Sequence, residues 1–187
     1  MLSINSDIPE IFFNENSGKM HDTCLLCDDN LLKYKHGYVI EKAFKKNNLT
    51  DEFEVIFEYA LCTECQQSLS KEMSKKSMEN IQKFFHDHKK NISALTNSEV
   101  DINTRLNKCM ITNDDIADTN EYQIAGQFYK QTMIVFDSFP FALGETAVNE
   151  IQELLSEKTR GFSDKFKDLI LPPDVRDKIP DDRLVFF

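Results

Sequence analysis

Between Phe53 and Leu61 the chain reads FEVIFEYAL, with Phe53, Val55, Phe57, Tyr59 and Leu61 at every second position. Such alternation places these residues on one side of a β-strand. Tyr38 to Phe44 (YVIEKAF) alternates too, aligning Tyr38, Ile40 and Phe44, and Asn47-Asn48-Leu49-Thr50-Asp51 between the runs is turn chemistry. The pattern predicts a β-hairpin. Past Cys65 the period lengthens. Leu69, Met73, Ile81, Phe84, Phe85 and His88 form the stripe of one amphipathic helix of about five to six turns. Lys71, Lys75, Lys76, Glu79 and Lys83 occupy its solvated faces.

Residues 1–20 read as an extended lead-in whose Ile8, Ile11, Phe12 and Phe13 can pack on the body, and residues 91–107 are a polar connector. A second unit then repeats the plan of the first. Cys24-Leu25-Leu26-Cys27-Asp28-Asp29 resembles Cys109-Met110-Ile111-Thr112-Asn113-Asp114-Asp115. In nearly the same register, Tyr38 and Phe44 find counterparts in Tyr122 and Phe128, and Gln131–Phe136 supplies a partner strand. The helical echo of Met73…Ile81-Gln82 is sought in Leu143…Ile151-Gln152, at an offset shortened by the smaller second hairpin. The expected organisation is a lead-in (1–20), a four-cysteine unit (21–90), the connector, a degenerate metal-free repeat (108–156), and a C-terminal helix and tail (157–187). Ser163-Asp164 is the expected N-cap of that helix, and Pro172-Pro173 its stop.

With 187 residues, 41% of them hydrophobic and 15 of them Phe, the chain has enough apolar mass for a real core. Thirty-two acids against 22 bases give a net charge of -10. That surface repels phosphate backbones, so no nucleic-acid partner is expected. The sequence shows no membrane-length apolar run and no signal-peptide pattern, which sets the cytoplasm as the expected compartment. The cytoplasm is reducing, so the five cysteines read as metal ligands or thiols rather than disulfides.

Cys24 and Cys27 form one Cys-x-x-Cys pair, and Cys62 and Cys65 form another at the foot of the expected helix. Each pair can present two thiolates to one ion, and two pairs complete a tetrahedron around Zn²⁺. A helix start also favours thiolates, because its free N–H groups and dipole carry positive charge. Residues of about 20 to 88 thus resemble treble-clef zinc fingers, with the zinc ribbon as close competitor. The whole chain is also similar to small bacterial proteins with two Cys-x-x-Cys pairs, a resemblance that supplies no activity. Four thiolates leave no open coordination position and blunt Lewis acidity, so one Zn²⁺ is expected in a structural role. Iron suits the same ligands, and a pair of redox dithiols is the alternative.

His21 lies three residues before Cys24 and is the one candidate substitute ligand. His86 and His88 sit near a helix end, where dipole interaction explains them, and His36 falls in a loop. Treble-clef nucleases carry paired histidines that this chain lacks beside its second cysteine pair. Cys109 reads as a small buried hydrophobe. In the second unit the counterparts of Cys62 and Cys65 are sought within Phe136–Phe141. The segment from Cys109 to Leu155 holds eight acids and Lys130 as its sole base, which suits either solubility or a basic partner. The combined expectation is an α+β protein, non-enzymatic, acting as a protein-interaction adaptor around a structural zinc. An enzyme with a site in the groove between the two units, and a redox-responsive zinc switch, are the alternatives.

Overall fold

The computed structural model describes residues 3–5, 7–97, 100–136 and 138–170. The hairpin is there, as β2 (Tyr38–Lys46) and β3 (Phe53–Cys62). A short β1 (Ser3–Asn5) precedes it, and β4 (Glu121–Tyr129), β5 (Thr132–Val135) and β6 (Phe141–Gly144) follow. All six strands join one antiparallel sheet ordered β1-β5-β4-β2-β3, with β6 beside β5 on the same edge of β4. Its helices are α1 (Thr63–Glu72), α2 (Lys75–Asp87), α3 (Lys89–Thr96), α4 (Ile102–Asn107), α5 (Glu145–Glu153) and α6 (Glu157–Ile170). The fold is α+β, with a second hairpin–helix unit after the first.

The two units share their central strands. β2 pairs with β4 from Tyr38↔Phe128 to Lys45↔Glu121. Because Tyr38 and Phe44 correspond to Tyr122 and Phe128, the pairing is nearly two-fold. Tyr38 stacks on Phe128 at 5.5 Å and Phe44 stacks on Tyr122 at 4.6 Å. Glu41 lies opposite Ala125, its own counterpart in the second unit. One face of β2 presents Val39, Glu41 and Ala43, and the helices cover it, with Phe166 of α6 edge-on to Tyr59 at 5.4 Å. The other face presents Tyr38, Ile40, Lys42 and Phe44. There Phe12 of the lead-in meets Phe128 at 5.3 Å. Gly126 permits this approach, since a Cβ there would stand 2.9 Å from the Phe12 ring.

Several expectations are corrected. The long helix is two, because Met73 is extended (ψ 142°) and Ser74 caps α2 by accepting from the Ser77 N–H. The strict alternation of β3 breaks at a bulge: Phe44 pairs with Val55 but Ala43 with Phe57. Ile56 is the extra residue, so Phe53 and Val55 change faces relative to Tyr59. The connector carries α3 and α4. The lead-in contains β1 and a 3₁₀ turn at Glu10–Phe12. Ser163 is not a cap, since α6 begins at Glu157 and the Thr159 N–H donates to Ser156 Oγ instead. The proline stop and the tail beyond it lie outside the described residues.

Each face buries polar groups that the apolar pattern hides. On the lead-in side, Lys42 is 2% exposed. Its Nζ donates to the Phe13 carbonyl at 2.8 Å and sits 3.0 Å from Glu58. Glu58 also accepts from Asn14 Nδ2 and the Glu15 N–H, so this pair fastens residues 13–15 to the sheet. On the helical side, Glu41 accepts a hydrogen bond from the Tyr59 hydroxyl. Burial pushes the Glu41 carboxyl well above the usual carboxylate range, and the Tyr59 bond only partly opposes this.

Two outcomes test this account. Lys42→Ala strands Glu58 and should cost about 3 kcal/mol in urea denaturation, whereas Lys42→Met with Glu58→Leu should recover most of that loss. Glu41 stays protonated in the fold at pH values where the unfolded chain has already ionised it. Its contribution to stability is therefore lost as pH rises above about 4.5. Glu41→Gln keeps the acceptor for Tyr59 without that loss. Denaturation midpoints of variant and parent should converge near the ordinary carboxylate range and separate in the variant's favour toward alkaline pH.

Candidate metal centre

Residues 23–30 fold into a knuckle. The Cys24 N–H donates to the Asp29 carbonyl (2.9 Å), the Asp28 N–H donates to the Cys24 carbonyl (3.0 Å), and Asp28 is left-handed (φ 59°). Aspartate is among the few residues that accept this conformation readily. The Leu25 N–H then donates to the Ala60 carbonyl (2.9 Å), fastening the knuckle to the end of β3. Just beyond Ala60, Cys62 closes β3 and caps α1, its sulfur accepting from the Cys65 N–H at 3.4 Å. The Cys62 N–H donates in turn to Cys24 Sγ at 3.4 Å.

These steps bring the four sulfurs of Cys24, Cys27, Cys62 and Cys65 within 4.8 Å of one another, with Cys27 and Cys62 3.8 Å apart. A tetrahedral ion with metal–sulfur bonds near 2.3 Å requires sulfur–sulfur edges of about 3.8 Å. The cluster fits that demand, and the four cysteines can hold a metal ion. Cys24 and Cys62 are buried, Cys65 is half-buried and Cys27 is exposed, so an ion can reach the cluster from the Cys27 side.

Thiol chemistry supports the same reading. Desolvation of the sulfur pushes the Cys27 thiol up to about 11 although the residue as a whole is exposed, and desolvation also raises Cys65. At Cys24 burial opposes ionisation, but N–H groups of Cys62, Leu26 and Cys27 outweigh it and lower the pKa. Ionising Cys27 and Cys65 therefore calls for a cation, and binding one releases protons.

The histidines stand apart from the cluster. His21 Nε2 lies 3.6 Å from Glu58, and burial lowers its pKa despite that carboxylate. His36 lies 3.8 Å from Glu64, both exposed. His86 is in the last turn of α2 and His88 is its C-cap, with Nδ1 2.9 Å from the Phe84 carbonyl.

The second unit builds the same knuckle without the ligands. The Cys109 N–H donates to the Asp114 carbonyl and the Asn113 N–H to the Cys109 carbonyl, both at 2.8 Å, and Asn113 is left-handed (φ 66°). The Met110 N–H donates to the Ala142 carbonyl at 2.8 Å, as Leu25 does to Ala60. β6 then gives way to α5 at Gly144, as β3 gives way to α1 at Cys62. The counterparts of the second cysteine pair are therefore Gly144 and Ala147, and not residues of Phe136–Phe141. A Cβ on Gly144 would meet Thr119 Cγ2 at 2.9 Å and Cys109 Cβ at 3.8 Å, so side chains fill the space that corresponds to the sulfur cluster of the first unit. Cys109 is fully buried, as a small hydrophobe would be.

The helical correspondence differs from the expected match of Met73…Ile81 with Leu143…Ile151. Ser74 and Ser77 of α2 match Ser156 and Thr159 of α6, and the four hydroxyls meet. The Ser74 N–H donates to Thr159 Oγ1 (3.0 Å) and the Ser156 N–H to Ser77 Oγ (2.9 Å). The two Ser-x-x-Ser/Thr caps were the available signal.

No protein-family model, curated protein or solved structure matches the chain.

Cys62→Ser should abolish metal binding, measured as metal per chain by elemental analysis, and unfold the knuckle and α1. Cys109→Ala should leave the metal content unchanged. Protons compete for all four sulfurs, so a loaded protein should release its ion as pH falls, which a chromogenic chelator would register.

Proposed function

We propose that the four cysteines hold one Zn²⁺ as a structural clamp and that the chain acts as a non-enzymatic, protein-binding adaptor in the cytoplasm. The observation that carries the metal assignment is the approach of four sulfurs from two distant segments to within 4.8 Å of one another, with one pair at the 3.8 Å edge of a tetrahedron. An all-thiolate shell leaves no position for water or substrate, so the ion holds the chain rather than reacting. Zn²⁺ suits this donor set and has no redox chemistry of its own. Binding energy then appears as folding energy. No helix among the described residues is long and apolar enough to cross a membrane.

For the partner, charge is the guide. The second knuckle gathers the exposed Asp114, Asp115 and Asp118 beside the half-buried Glu145 at the start of α5. A basic protein surface complements that cluster. We infer also that the second unit descends from a copy of the first whose metal ligands were replaced by packing.

Cobalt substitution tests the clamp: tetrahedral ligand-field bands and thiolate-to-cobalt charge transfer should appear at one ion per chain. Octahedral spectra or substoichiometric loading would count against it. For the adaptor role, crosslinking in the native host should recover a basic partner that Asp114→Lys with Asp118→Lys loses. Recovery unaffected by charge reversal would remove the proposed contact.

A further inference from the structure

Away from the cysteines, a cavity of about 570 Å³ lies between the helical face of the sheet and the helices over it. Its size is that of sites that enclose small organic ligands. Val39 and Ala125, from the two central strands, contribute to the sheet side, while Met78, Ile81 and Phe85 of α2 line the helical side. Methionines from three separate places (Met73, Met78 and Met110) give the wall an adaptable surface. Arg105 holds part of the rim in place by donating to the carbonyls of Thr96 (2.9 Å) and Phe139 (3.2 Å), both lining residues.

Two buried polar groups in this wall have spare capacity. Ser163, in the middle of α6, is 3% exposed, lines the cavity, and its Oγ has no hydrogen-bond partner among the described residues. A buried hydroxyl left unpaired costs stability, and an occupant's oxygen would relieve that cost. Glu41 also lines the cavity, and its hydrogen bond comes from Tyr59. Burial raises its pKa and so favours the neutral carboxyl, which offers an O–H rather than a charge. Among the described residues the lining contains no Lys, Arg, His or Asp, and Glu41 is its one carboxyl-bearing residue. An anionic ligand would find no counter-charge, and a cationic one would find no ionised acid. A single carboxyl without a second acid, a base or a nucleophile suits binding better than catalysis.

We propose that this cavity binds an uncharged, largely apolar small molecule carrying an oxygen acceptor, with Glu41 and Ser163 as its polar contacts. The site is separate from the metal centre and does not depend on the adaptor reading. Its test uses the full-length, metal-loaded chain and N-phenyl-1-naphthylamine, a neutral apolar fluorophore. Titration at neutral pH should show one saturable site. Decan-1-ol should displace the probe at least about tenfold more effectively than decanoate or decylammonium, which share its chain length and differ in charge. Ala125→Phe, which fills the sheet side, should lose probe binding while keeping its melting transition. Gln66→Trp, a half-buried lining position on α1, provides the same reading if Ala125→Phe does not fold. Absence of saturable binding, retained binding in a folded filled variant, or equal displacement by the charged decyl compounds would each overturn the proposal.

Discussion

The antiparallel pairing of β2 with β4 is the constraint on which the rest of the molecule depends. Each strand belongs to a different unit, and each is buried over most of its length on both faces. Neither unit owns a complete sheet. The stacked pairs Tyr38–Phe128 and Phe44–Tyr122 fix the register at both ends, each adding on the order of 1 kcal/mol beyond the area it buries. A slip by one residue would turn Val39 and Ala43 onto the face where Phe12 packs and carry Lys42 away from the Phe13 carbonyl. The register thus decides at once which side carries the cavity and which side carries the lead-in.

The two ends of this sheet solve the same problem by different means. At both, a short knuckle must be tied to a strand end and to the helix that follows it. In the first unit the backbone bond from Leu25 to Ala60 is supplemented by four converging sulfurs. The second keeps the corresponding bond from Met110 to Ala142 and packs Thr119, Ile116 and Cys109 around Gly144. Shape complementarity replaces coordination there, and the backbone geometry barely changes. A bound ion would therefore reinforce a knuckle whose backbone hydrogen bonds both units share.

Chelation and alternation made the central features legible from residues alone. Thiolates three apart can serve one ion where the backbone turns, whether at a knuckle or at a helix start, so the spacing revealed the ligands. The hairpin was legible because alternation and turn residues agreed. The break between α1 and α2 was not, because Met73 carries no helix-breaking chemistry and continues the apolar stripe; Ser74 was the one cue. The bulge at Ile56 had its own sign in the consecutive Val55-Ile56-Phe57, which strict alternation does not allow. Glu41 and Glu58 occupy the positions between the apolar residues and Lys42 interrupts an apolar row, and nothing in that local pattern announces that the lead-in and the helices cover them. The cavity left no trace in the sequence, since its wall is assembled from three strands and four helices spread along the chain.

The pairing of Glu41 with Ala125 has a consequence for what this architecture can do. In a homodimer built on the same plan, whatever residue sat on the rotation axis would face its identical twin. Two carboxyls would then be forced together in an apolar interior, competing for one proton. Joining the halves in one polypeptide lifts that degeneracy, so a lone acid can stand at the seam opposite a methyl group. Covalent linkage thereby gives the protein a chemically lopsided centre inside an almost symmetric frame.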